Sequence, residues 1–109
     1  MIDEKSFVAM ALSFPHTEQR PHFERVGFRK IGGRMFATYL QANNTANIFL
    51  RPDEQKLFCK TDNRNIYPVP NRWGEKGATT FEIDSVDPAI VQEALLSAYN
   101  DIITRKKKK

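Results

Sequence analysis

Val26-Gly27-Phe28-Arg29-Lys30-Ile31-Gly32-Gly33-Arg34-Met35-Phe36-Ala37-Thr38-Tyr39-Leu40 is the stretch on which the fold turns. Two runs rich in β-branched and aromatic residues flank a Gly-Gly pair, and glycine supplies the positive φ that a tight hairpin turn needs. The reading is a β-hairpin. It makes the sheet antiparallel, because two strands joined by so short a turn cannot run parallel.

Working outward, residues 41–46 form a polar connection containing Asn43-Asn44, and residues 47–51 a third short strand with Ile48 and Leu50 on one face. Pro52-Asp53-Glu54-Gln55 opens a helix expected to end near Lys60, with proline in the first turn and two acids at the positive end of the dipole. Ile66-Tyr67-Pro68-Val69 reads as a strand confined to a sheet edge by its proline. Residues 70–78, including Trp73-Gly74-Glu75-Lys76-Gly77, read as a glycine-flanked loop, and residues 79–83 alternate like a last strand. Asp87 caps a C-terminal helix with Pro88 in its first turn and an apolar stripe of Val91, Ala94, Leu95, Ala98, Tyr99 and Ile102. On the N-terminal side, residues 15–24 hold two prolines and no period, so a loop is expected there. Before it, Asp3 caps a helix over residues 4–13 carrying Phe7, Val8, Ala11 and Leu12 at helical spacing, stopped ahead of Pro15. The sum is one α+β domain over residues 1–104, followed by a basic tail at 105–109 expected to be disordered.

The formal net charge of +4 divides unevenly. Five of the 17 basic residues lie at 105–109. Residues 1–19 sum to −2, residues 81–104 to −5, and residues 20–80 carry 11 basic against five acidic side chains. A polarised surface of this kind governs partner choice more than net charge does. Cys59 is the sole cysteine and no apolar run approaches the roughly 20 residues needed to cross a bilayer, so a cytoplasmic protein without a membrane partner is expected.

Chemistry-bearing patterns are sparse. His16 and His22 stand in matching Pro-His-x-Glu segments, but no third or fourth ligand follows at a metal-binding spacing. There is no Gly-x-Ser-x-Gly elbow, no Cys-x-x-Cys and no glycine-rich phosphate loop ahead of Lys-Ser or Lys-Thr. The expectation is therefore a non-enzymatic protein with no catalytic residue, no cofactor and no metal. The basic residues of the middle segment are interleaved with Phe28, Phe36, Tyr39, Phe58, Tyr67 and Trp73. Cations meet phosphates and aromatic faces stack bases, while the plain alternative is a solvated strand face with aromatics in the core. Trp73 is expected to anchor its loop on the core.

The order of Ala11-Leu12-Ser13-Phe14-Pro15, Glu18, Arg20-Pro21-His22, residues 28–37, Pro68-Val69-Pro70 and Trp73-Gly74-Glu75-Lys76-Gly77-Ala78-Thr79 closely resembles the MmcQ/YjbR family over residues 4–104. The resemblance implies a CyaY-like (frataxin-like) fold, an antiparallel sheet with the N- and C-terminal helices packed on one face. Its members are described as predicted DNA-binding proteins that use paired strand-and-loop wings. Carried onto this chain, the wings are the hairpin around Arg29, Lys30 and Arg34 and the loop around Arg72, Trp73 and Lys76. Many relatives have an aromatic residue after the second glycine of that loop, where this chain has Ala78, so no stacking role is carried to that position. The expected partner is DNA, bound by a monomer or weak dimer. The alternative is a protein- or small-ligand-binding module that uses a cleft near loop 20–24 and Trp73.

Overall fold

The computed structural model describes the backbone of residues 2–107 and the side chains of residues 2–104. Its elements follow in the order α1 (Glu4–Ala11), β1 (Thr17–His22), β2 (Arg25–Lys30), β3 (Met35–Leu40), β4 (Thr45–Phe49), α2 (Pro52–Thr61), β5 (Ile66–Pro68), α3 (Arg72–Glu75), β6 (Ala78–Glu82) and α4 (Pro88–Lys107). All six strands form one antiparallel sheet in the order β1-β2-β3-β4-β6-β5.

The β2–β3 hairpin forms across residues 31–34, with Gly32 at φ 76 and the Gly33 amide donating to the Lys30 carbonyl at 2.7 Å. Its register slips between Phe28 and Arg29, which pair with Ala37 and Met35, leaving Phe36 as an extra residue. This β-bulge lets Phe28, Phe36 and Ala37 all reach full burial. The capping expectations also hold. The Asp3 carboxylate accepts from the Ser6 amide at 2.9 Å, the Asp87 carboxylate accepts from the Ala89 amide at 2.9 Å, and β5 lies at a sheet edge, where Pro68 costs no internal ladder bond.

The helices cover one face of the sheet. Phe7 of α1 meets Phe28 and Tyr39 at 5.7 and 5.8 Å, Tyr99 of α4 meets Phe36 at 5.8 Å, and Phe58 of α2 meets Phe81 at 6.2 Å. The stripe expected on the C-terminal helix is buried throughout. Each fully buried phenylalanine contributes about 2–3 kcal/mol of hydrophobic stabilisation, so Phe7, Phe28, Phe36 and Phe81 supply a large share of the core together with buried aliphatics such as Ile48, Ile66, Ile83 and Leu95.

Two expectations need correction. Residues 15–24 are not a loop, since β1 runs through them and pairs with β2 from Thr17↔Lys30 to His22↔Arg25. It lacks a readable period because it is an edge strand with polar, largely exposed side chains, and Pro21 is tolerated there. Residues 70–78 contain the single-turn helix α3, capped by Asn71, whose side chain accepts from the Trp73 amide at 2.9 Å. Helix α4 is bounded at Lys107, and the tail expectation for residues 105–109 falls outside the residues whose side chains are described.

Candidate functional site

Strand pairing decides which side chains reach the face that carries no helix. Residues paired directly across antiparallel strands share a face, so Glu18 with Arg29, His22 with Arg25, Thr38 with Asn47, and Asn47 with Thr80 all project away from the helices. Along this face a cleft of about 880 Å³ opens, from the His22–Arg25 end of the sheet to the Met35, Phe49 and Ala78 end. Its apolar wall includes Met35, Phe49, Leu50, Val69 and Ala78, and its polar groups include His22, Arg25, Arg34, Asn47, Asn71, Glu75, Lys76 and Asp101, with Trp73 at the rim.

The α3 side of the cleft is built by close backbone approach. Gly74 packs so tightly that a Cβ there would stand 1.8 Å from the Val69 carbonyl oxygen, and a Cβ on Gly77, at φ 116, would stand 1.7 Å from the Leu50 carbonyl oxygen. The buried Gln55 amide of α2 donates to the carbonyls of Gly74 and Ala78 at 2.9 and 3.1 Å. These contacts hold the turn without using the indole. Trp73 is therefore 66% exposed, which corrects the expectation that it anchors the loop on the core. Lys76 Nζ lies 5.4 Å from its ring, a cation–π pair.

The six expected contact residues separate into groups. Arg34, Trp73 and Lys76 come together at the cleft although Arg34 and Lys76 belong to different wings. Arg29 is instead committed to Glu18, its Nε donating to Oε2 at 2.7 Å, and Arg20 adds a second contact to the same oxygen at 3.4 Å. The Arg29 hydrogen bond is the main cause of a Glu18 pKa below the ordinary carboxylate value, with burial opposing it. Lys30 and Arg72 are on the wings but do not line the cleft. The other ion pair among the described residues joins Arg51 to Asp53 at 3.5 Å, leaving Arg25, Arg34 and Lys76 without a described carboxylate partner.

Arg25 is a cleft residue outside the six expected contacts, and His22 comes from the 20–24 segment that the alternative reading placed at a cleft with Trp73. Arg25 Nε donates to the Thr38 hydroxyl at 3.0 Å, and burial lowers its pKa while Glu24 opposes the fall. Neither the His22 nor the Arg25 side chain has a local signal, because β1 lacks a readable period and Arg25 precedes the run that reads as the first hairpin strand. The described residues contain no group of three His, Cys, Asp or Glu side chains able to hold a metal. Burial pushes the Cys59 thiol up, away from nucleophilic use. No helix of the described residues is long and apolar enough to cross a membrane.

Comparison with known proteins sets this geometry in a family. The family model described as YjbR matches residues 12–101. The crystal structure of Deinococcus radiodurans protein DR2400, described with domain DUF419, superposes with a TM-score of 0.76 at 16% identity, covering 91% of this chain and 77% of that one. At that identity the likeness speaks for the α+β fold. No curated protein matches the chain.

Proposed function

The chain belongs to the YjbR family, and from that premise we propose that it is a non-enzymatic, cytoplasmic DNA-binding protein of CyaY-like fold whose two wings grip the phosphate backbone. One observation carries the reading. The hairpin wing and the α3 wing converge on a single cleft, where Arg34 and Lys76 stand with Arg25, and among the described residues none of the three is held in an ion pair, Glu24 acting on Arg25 only through its charge. Unpaired cations around a groove are what phosphate binding requires. Glu75 and Asp101 also line the cleft. Lys30 and Arg72 stand on the wings outside the cleft lining, while Arg29 contributes little because Glu18 already holds it.

The test is a salt titration of DNA binding with residues 105–109 deleted, which removes adventitious affinity from the basic terminus. Four or five phosphate contacts on duplex DNA give a slope of log affinity against log salt near −4. Loss of all DNA affinity in the shortened chain refutes the proposal. A second reading, a protein- or small-ligand-binding module, draws on the apolar wall of Met35, Phe49 and Leu50 in the same cleft. It is favoured by binding that is insensitive to salt.

A further inference from the structure

We propose that the DNA held here is a single strand, with Phe23 and Trp73 as two stacking platforms flanking the cleft. This inference rests on the DNA-binding reading above. Strands β1 and β2 are joined by two residues only, Phe23 and Glu24, between the paired His22 and Arg25. Hairpin turns this short favour glycine, asparagine or aspartate where φ is positive. Phe23 occupies that conformation at φ 59, a genuine outlier for a bulky residue, and its side chain is 94% exposed. Folding thus gains no burial from this ring and bears a strained turn to display it, the pattern of a residue kept for binding.

The ring also stands in a telling place. It lies 5.0 Å from the imidazole of His22, edge to face, and His22 lines the cleft. Phe23 thereby marks one side of the mouth that Trp73, 66% exposed, marks on the other. Between them stand the cations of Arg25, Arg34 and Lys76. Aromatic faces interleaved with a cationic track match a strand whose bases are unpaired, since each base offers a π-face and each phosphate a charge. A duplex hides those faces in its own stack and presents base edges instead. The cleft volume of about 880 Å³ and its apolar wall also suit an unstacked base better than a convex duplex backbone.

The experiment uses the chain with residues 105–109 deleted, a single-stranded oligonucleotide of about 12 nucleotides and the duplex of the same length, read by anisotropy and by fluorescence of the single tryptophan, Trp73. The single strand is expected to bind more tightly and to quench Trp73. Phe23→Gly is expected to lower single-strand affinity by about 5- to 100-fold. The same variant should melt no lower than the parent, because glycine accepts positive φ without strain, and this separates a binding defect from a folding defect. Duplex binding as tight as single-strand binding, with Phe23→Gly neutral, overturns the inference and leaves the phosphate reading standing. Unchanged single-strand affinity in Phe23→Gly removes the ring from the path of the strand and equally overturns it. Loss of both DNAs by the parent overturns both readings.

Discussion

Gly74→Ala tests whether the α3 wing is held by backbone contact. The new Cβ would stand 1.8 Å from the Val69 carbonyl oxygen and 2.8 Å from its carbon, where real Cβ contacts stay beyond 3.0 Å. Both neighbours are backbone, so no side chain can swing aside, and the turn must move by more than 1 Å relative to β5. That movement works against the Gln55 bridge to Gly74 at 2.9 Å. Overpacking of this kind costs about 1–3 kcal/mol and a lost buried hydrogen bond about 1 more, for a total of about 2–4 kcal/mol. In a chain of this size each kcal/mol lowers Tm by about 4 °C, so thermal unfolding followed by circular dichroism should show a drop of roughly 8–16 °C. Gly33→Ala is the control, since its Cβ would meet Lys30 at an ordinary 3.4 Å and its cost should stay within about 0.5 kcal/mol. A Gly74→Ala protein melting within about 2 °C of the parent would refute the claim that backbone approach builds this wing.

The remaining predictions concern charge. Glu18→Gln releases Arg29 to the solvent, and a salt titration of DNA binding should steepen by about 0.9 in slope, whereas Lys76→Gln should make it shallower by about the same amount; equal slopes in both variants would refute the assignment. The same Glu18 change has a stability consequence. Because the folded pKa is lowered, chiefly by the Arg29 hydrogen bond, the carboxylate's stabilisation is present above the unfolded value near 4.3 and is lost as pH falls through the lower folded value. Melting curves between about pH 5 and 2 should therefore fall less steeply for Glu18→Gln than for the parent. At the other extreme, Tyr67 donates to Glu82 and is pushed up to about 12 by that bond first and by burial second. Its contribution holds below the unfolded value of about 10 and is lost as pH rises from there through about 12. Phenolate absorbance should show this late step, and Glu82→Gln should bring it down toward the unfolded value; an unmoved step would place its cause elsewhere.

The primary structure alone determines the parts of this fold that depend on neighbours in the chain. The Gly32-Gly33 turn, the Asp3 and Asp87 caps and the stripe from Val91 to Ile102 are short-range features, each readable within one turn or one hairpin. The family was legible for the same reason, as an ordered series of local motifs. Tertiary structure decided the rest. Strand β1 exists because β2 offers an edge to pair with, and no periodicity in its own exposed residues announces it. Insertion of β6 between β4 and β5 brings Gly77 against Leu50, whose amide donates to the Gly77 carbonyl at 3.1 Å, and so carries α3 to the mouth of the cleft beside Arg34. Register sets Arg29 opposite Glu18, which holds its guanidinium, and the glycine contacts of α3 leave Trp73 outside the core. Residue types and local conformation follow from short stretches of sequence, whereas the company a side chain keeps is set by pairings between segments far apart in the chain.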